Sequence, residues 1–258
     1  MKRIISLVGL LGLLIVIFTM AMPASGVTLI SQAPRIPVRQ GTSSNWAGYA
    51  VQTDLANPQN NVVTDVKGTW VVPAVSASSV SAYSSIWVGI DGYSDSTVEQ
   101  IGTEQDWING TARYYVWYEM YPKMSFRINK AVSPGDTITA EVQYQNGKFV
   151  LTLNDVTKNW TFTTTQKAPQ AKRNSAEWIA EAPWSGGVLP LANFGTATFN
   201  NASATLNNQT GSINATAWQN DPIDMAVLNP DGTIAYYKAQ TSSLSSDGSS
   251  FSVVWDNN

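Results

Sequence analysis

The sequence predicts an all-β chain folded as a β-sandwich. Short runs dense in β-branched and aromatic residues recur after Asn45, and turn residues cut them at close intervals. No stretch of the chain that follows keeps a helical period for more than two turns. Many short strands with frequent turns are the pattern of packed antiparallel sheets.

Val66–Pro73 and Ser85–Ile90 are the first clear strands, and Arg113–Tyr121 (RYYVWYEMY) is dense in aromatic residues. Thr137–Gln145 alternates strictly, with Ile138, Ala140, Val142 and Tyr144 on one face and Thr, Glu and Gln on the other. Asn146-Gly147 then marks a two-residue hairpin turn into Lys148–Leu153, since both residues accept positive φ. Further strands are expected at Trp160–Thr164, Thr196–Phe199, Ser212–Trp218 and Asp224–Leu228. Asn229-Pro230-Asp231-Gly232 turns the chain into Thr233–Lys238, and Phe251–Trp255 ends the series.

The N-terminus is built differently. Lys2 and Arg3 precede a nearly unbroken apolar run from Ile4 to Met20, and Ala21–Gly26 supplies Pro and small residues where a signal peptidase could cut. Such a run is long enough to span a bilayer, but its helix-breaking end at Pro23-Ala24-Ser25-Gly26 favours cleavage. Residues 1–26 are therefore expected to be a secretion signal, 27–43 a leader or short pro-segment, and 44–258 one catalytic β-sandwich domain.

Loss of Lys2 and Arg3 with the signal lowers the cations from 15 to 13 against 18 acids, a net charge of −5. Only 13% of all residues are charged, about half the usual share, so Ser, Thr, Asn and Gln carry the polarity. A sparse cation set limits self-repulsion in acid, where carboxylates neutralise. Five Asn-x-Ser/Thr patterns, at Asn109, Asn159, Asn201, Asn208 and Asn214, support surface exposure in an exported protein. No basic run points to nucleic acid. The mature chain is expected to be extracellular, monomeric and free of the membrane.

Neither histidine nor cysteine occurs in the sequence. Ser-His-Asp and Cys-His pairs, histidine-bearing zinc sites and any disulfide framework are thereby excluded. Catalysis must fall to carboxylates, carboxamides, hydroxyls, Lys or Tyr.

Three segments combine acids, amides and Trp more densely than the rest. They are Trp87–Gly92 followed by Gln100-Ile101-Gly102, then Trp117–Pro122, and Ala176–Glu181. Alternate residues of a strand share a face, which groups Trp87 with Asp91, Tyr115 with Trp117 and Glu119, and Glu177 with Glu181. A Trp in a sandwich is more often core than substrate platform, and acids on strands are usually a solvated face. Trp and acid sharing one strand face in two separate segments favours an aromatic groove studded with carboxylates.

At these segments the chain resembles the glutamic peptidases, or eqolisins, a family of secreted acid endopeptidases. The matching stretches are Ser44-Asn45-Trp46-Ala47-Gly48-Tyr49, Trp87-Val88-Gly89-Ile90-Asp91-Gly92, Gln100-Ile101-Gly102, Trp117-Tyr118-Glu119 with Tyr121-Pro122, and Ala176-Glu177-Trp178-Ile179-Ala180-Glu181. The resemblance implies a lectin-like sandwich of two large, bent antiparallel sheets with the site in a concave face. It also implies a catalytic Gln and Glu. By motif position these are Gln100 and Glu181, ahead of Gln105, which lacks the following x-Gly, and of Glu177. Trp46, Trp87, Asp91, Tyr115, Trp117 and Glu119 match positions around that pair, for orienting hydrogen bonds and substrate contact. Tyr115 stands where fungal members carry an Asp, so a charge is lost there. Fungal members also often carry disulfides and a long pro-segment; control by a large inhibitory propeptide is not expected of this chain.

The residue types suit the task. A Glu near its ordinary pKa of about 4.3 is poised between base and acid in acidic medium. Glu181 would take a proton from the attacking water and give it to the leaving amine, while Gln100 would offer its N–H to the oxyanion and its carbonyl to the water. A carboxamide does not titrate, and no metal or other cofactor is required. The expected partners are polypeptide substrates. The alternative reading is a carbohydrate-binding module, or a glycoside hydrolase using two of Glu119, Glu177 and Glu181; Glu177 and Glu181 on one straight strand would sit ~13 Å apart at ~3.3 Å per residue, too far for a retaining pair.

Overall fold

The computed structural model describes residues 31–39 and 41–257. The expected secretion signal and the first residues of the expected leader lie outside them. Among the described residues there are seventeen strands and no helix, so no helix is long and apolar enough to cross a membrane.

Two short strands, β1 (Pro37–Arg39) and β2 (Thr42–Ser43), lead into β3 (Trp46–Gln52), β4 (Val63–Val71) and β5 (Ser85–Ile90). The long hairpin of β6 (Val98–Ile108) and β7 (Thr111–Tyr121) follows, then β8 (Phe126–Ile128), β9 (Thr137–Gln145), β10 (Lys148–Asp155) and β11 (Trp160–Gln166). The chain continues through β12 (Ala176–Glu181), β13 (Thr196–Leu206) and β14 (Gln209–Gly211) to β15 (Gln219–Leu228), β16 (Ile234–Thr241) and β17 (Phe251–Trp255).

The strands form a β-sandwich. The first sheet runs β15–β3–β12–β5–β6–β7–β8 and is antiparallel throughout. A second sheet runs β11–β10–β9–β4–β13–β17–β16–β15 and extends through a parallel pairing to β2 and then β1. The two sheets share β15: its first half pairs with β3 and its second half with β16. Pro222 lies in that first half, at an edge of the first sheet, where a missing N–H is tolerated.

Between the sheets, Val66, Trp70, Ile138, Val142, Leu151 and Phe199 of the second pack in one core with Val51, Ile86, Val88, Ile101 and Trp178 of the first. Buried indoles need partners for their N–H groups, and two of them bond across the sandwich. Trp178 Nε1 donates to the Lys67 carbonyl at 2.7 Å, and Trp70 Nε1 to Thr103 Oγ1 at 3.0 Å.

The expected Asn146-Gly147 hairpin is present: both residues have positive φ, 52° and 75°, and join β9 to β10 in register. Ser212–Trp218, expected as a strand, is not one. That segment closes on itself instead, with Ala215 N donating to the Ser212 carbonyl and Trp218 Nε1 to the Ile213 carbonyl. Four of the five Asn-x-Ser/Thr asparagines, at 109, 159, 201 and 208, occupy left-handed φ, a conformation that Asn tolerates better than most residues.

Candidate active site

Strand alternation and register assemble the site on the face of the first sheet opposite the intersheet core. Three rows cross β3, β12, β5, β6 and β7. The first is Trp46–Glu181–Ser85–Glu104–Tyr115, and the second is Gly48–Ile179–Trp87–Gly102–Trp117. The third is Ala50–Glu177–Gly89–Gln100–Glu119. Trp46, Trp87, Trp117 and Ile179 form the apolar body of this face, a cluster separate from the main core. Trp46 stands edge-on to Trp87 with ring centroids 4.9 Å apart.

Glycine in the middle row has a packing reason. A Cβ on Gly102 would lie 2.3 Å from the Ile86 carbonyl and 2.5 Å from the Trp87 Cβ, so only glycine lets β6 accommodate that indole. The glycine of the Gln-x-Gly motif therefore shapes the floor on which Gln100 stands.

Gln100 and Glu181 are both fully buried, and one peptide group bridges them. Gln100 Nε2 donates to the Gln32 carbonyl oxygen at 3.1 Å, while the main-chain amide of the next residue, Ala33, faces the Glu181 carboxylate. The amide of Gln100 is oriented by Glu119, whose Oε2 accepts from Nε2 at 3.1 Å; Gln100 Oε1 is buried with no hydrogen-bond partner. Glu181 accepts from Trp87 Nε1 at 2.9 Å through Oε2 and from Asn45 Nδ2 at 3.4 Å through Oε1.

Residues 31–36 thus run across the face. Ser31 Oγ and Gln32 N donate to the two oxygens of Glu119 at 2.5 and 3.0 Å. Trp46 Nε1 donates to the Ala33 carbonyl at 3.0 Å, and Asn45 Nδ2 to the Pro34 carbonyl at 3.1 Å. The Gln32 side chain reaches the other carboxyl row, its Nε2 donating to Ser85 Oγ at 3.0 Å and to Glu104 Oε2 at 3.2 Å.

Burial favours the acid forms of the carboxyls on this face. Burial raises Glu181 well above the usual range, and the nearby Glu119 raises it further against the pull of the Trp87 and Asn45 donors. Burial likewise pushes Glu119 up to about 8, although Ser31, Gln32 and Gln100 all donate to it. Glu104 is raised by burial first and by Asp106 second.

Of the residues singled out in the sequence, Gln100, Glu181, Trp46, Trp87, Trp117 and Glu119 meet on this face, with Tyr115 beside Glu104. The Arg127 guanidinium covers the Tyr115 ring at 4.7 Å, so a cation stands beside the position where the resemblance implies an Asp in fungal members. Asp91 goes elsewhere. Its φ of 72° ends β5 and turns its carboxylate to the main-chain amides of Arg173 and Asn174, at 2.7 and 2.8 Å. No hydrogen bond joins Glu177 to the bridging peptide; burial raises its pKa, and the nearby Asp91, Asp95 and Glu99 raise it further. Gln105 donates to Thr103 Oγ1 at 2.5 Å, in the strand phase opposite to Gln100. Sequence reasoning missed Ser31, Gln32, Ser85 and Glu104; the alternation of β6 that places Gln100 also places Glu104, and could have found it.

Fold and site together define a class: an antiparallel β-sandwich whose site chemistry is that of buried carboxyls and a carboxamide. The sequence pattern of the peptidase A4 family matches residues 44–251, and the chain belongs to that family. Aspergillopepsin-2 of Aspergillus niger is 31% identical over 189 residues, which cover 63% of this chain and 64% of that protein. The match therefore spans less than two thirds of the relative's length. Scytalido-glutamic peptidase, solved with a transition state analog inhibitor, superposes with a TM-score of 0.66 at 25% identity, covering 83% of this chain and 98% of that one. Aspergilloglutamic peptidase from Aspergillus niger gives 0.57 at 27% identity over 68% of this chain and 99% of its own.

Proposed function

We propose that the chain is a secreted, acid-acting endopeptidase in which Glu181 is the general base and acid and Gln100 stabilises the oxyanion, without a metal. The observation that carries this reading is the single peptide group spanning the two side chains, oxygen toward Gln100 and nitrogen toward Glu181. Peptide hydrolysis needs a donor at the first atom and an acid at the second. Gln100 already presents its N–H to the carbonyl, and its free Oε1 is an acceptor for the attacking water. Glu119 acts by fixing which way the carboxamide points.

The raised pKa of Glu181 suits proton delivery to the leaving nitrogen. Its role as base requires the ionised form, which the Trp87 and Asn45 donors favour. A sugar platform is less well supported, because Trp46, Trp87 and Trp117 are buried among one another.

Hydrolysis of a denatured protein by the purified chain between pH 2 and 7 tests the reading. Activity confined to acid, indifferent to pepstatin and EDTA and lost in Glu181→Gln, is expected. Activity that survives that substitution, or none at any pH, would overturn it.

A further inference from the structure

The segment lying on the catalytic pair is part of the chain itself, and it is held as a substrate would be. Its main chain is bonded from both sides: Gln32 N to Glu119, Gln32 O to Gln100, Ala33 O to Trp46, Pro34 O to Asn45, Ile36 N to Asn45 Oδ1 at 2.8 Å, and Arg35 N to the Gly92 carbonyl at 3.0 Å. Main-chain bonds of this kind accept any sequence, as a peptide-binding cleft must.

One side chain is treated differently. Gln32 is 1% exposed, and its carboxamide enters a pocket made by Ser85 and Glu104, both fully buried. Ser85 Oγ also donates to Glu104 Oε2, so the three groups form one chain of hydrogen bonds. Gln32 Oε1 has no hydrogen-bond partner, and the Glu104 carboxyl lies against that of Asp106. With Glu104 in its acid form, its proton directed to the neighbouring Asp106, the pocket meets the Gln32 N–H with uncharged acceptors, which suits a neutral carboxamide.

Resting on the assignment of Gln100 and Glu181, we infer that residues 31–36 are the enzyme's own first substrate, cut between Gln32 and Ala33, and that the Ser85–Glu104 pocket selects glutamine on the acyl side of the bond cleaved. In that step water oxygen bonds the Gln32 carbonyl carbon and the carbon–nitrogen bond to Ala33 breaks. One water proton passes through Glu181 to the departing amine, leaving a chain that ends at Gln32 and another that begins at Ala33. Until this happens the segment covers the pair.

A polar pocket left unfilled by an apolar analogue discriminates strongly. The test pairs the full chain with two peptides, Ser-Gln-Ala-Pro-Arg and Ser-Leu-Ala-Pro-Arg, each extended and labelled alike. In acid the wild type should acquire an N-terminus at Ala33, read by intact mass, while Glu181→Gln should not. The Gln peptide should be cut at least about tenfold faster in kcat/KM than the Leu peptide. Glu104→Leu should abolish that ratio and Glu104→Gln should keep most of it, a pattern that loss of stability alone does not produce. Equal rates on the two peptides with wild type overturn the pocket, whatever the variants do. Digestion of denatured protein that leaves Gln32–Ala33 intact overturns the self-substrate. Absence of any Glu181-dependent cleavage removes the catalytic assignment itself, which is a distinct result.

Discussion

Trp87 Nε1 lies 2.9 Å from Glu181 Oε2 and donates a hydrogen bond to it within the buried face. The two residues sit on neighbouring strands, β5 and β12, with Trp87 opposite Ile179 rather than Glu181, so the bond is diagonal. It ties the carboxyl to the apolar body of the face and works against the desolvation that raises its pKa.

Replacing Trp87 by Phe removes that donor and keeps an aromatic ring. A donor to the charged form lowers a carboxyl pKa, so its loss raises Glu181 further. The acid limb of the kcat/KM profile is expected to move to higher pH, with a smaller change in the plateau. A pH–rate profile of the variant checks this; a limb at the wild-type position would separate Trp87 from the titration of the base.

Gln100→Ala and Glu181→Gln remove opposite ends of the proposed reaction. Each is expected to reduce kcat by on the order of 10²–10³-fold or more. Both residues are buried, so folding must be read beside activity, by thermal unfolding of each variant. A folded Gln100→Ala enzyme with near-normal turnover would remove Gln100 from the mechanism.

The middle row predicts a purely structural lesion. Gly102→Ala would press a Cβ against the backbone of Ile86 and against Trp87, with no flexible side chain to give way. Overpacking of this kind costs about 1–3 kcal/mol. The midpoint of urea unfolding should fall accordingly, and a displaced Trp87 should alter indole fluorescence. An unchanged midpoint would mean that β5 and β6 can separate without penalty.

Much of this architecture was legible because one face of each strand is core. Thr137–Gln145 and its Asn-Gly turn satisfy alternation and turn chemistry at once, and they fold as read. The strand β6 escaped notice for the opposite reason. Glu99, Gln100, Thr103, Glu104, Gln105 and Asp106 are all buried there, so both faces look polar in the sequence. Burial of so many polar groups conflicts with a strand's usual pattern, and such conflicts gather at functional sites. The motif positions brought out Gln100 and Glu181, but nothing local tied Ser31 or Gln32 to Glu119 across 88 and 87 residues. That link exists only in the folded chain.

The buried carboxyls set a direction for stability against pH. Burial raises Asp65 to about 6, Asp91 and Asp106 to about 7 and Glu119 to about 8, and it raises Glu99, Glu104, Glu177 and Glu181 well above the usual range. Between an unfolded pKa near 4 and these folded values the native state binds more protons than the unfolded chain. Unfolding free energy therefore falls as pH rises. The contribution is fully present below about pH 4 and is lost progressively up to pH 8 and beyond, the reverse of ordinary acid denaturation. Lys238, lowered to about 8 by burial, acts in the opposite sense but only above that pH. Each pH unit separating a folded from an unfolded value is worth about 1.4 kcal/mol per group, and 1 kcal/mol moves the Tm of a chain this size by about 2–4 °C. Thermal unfolding of the inactive Glu181→Gln protein, which removes self-digestion, should give a Tm at pH 4 about 10 °C or more above that at pH 8. A Tm that rises between those values would mean that the carboxyls are ionised in the folded protein, and the acid-form description of the site would fall with it.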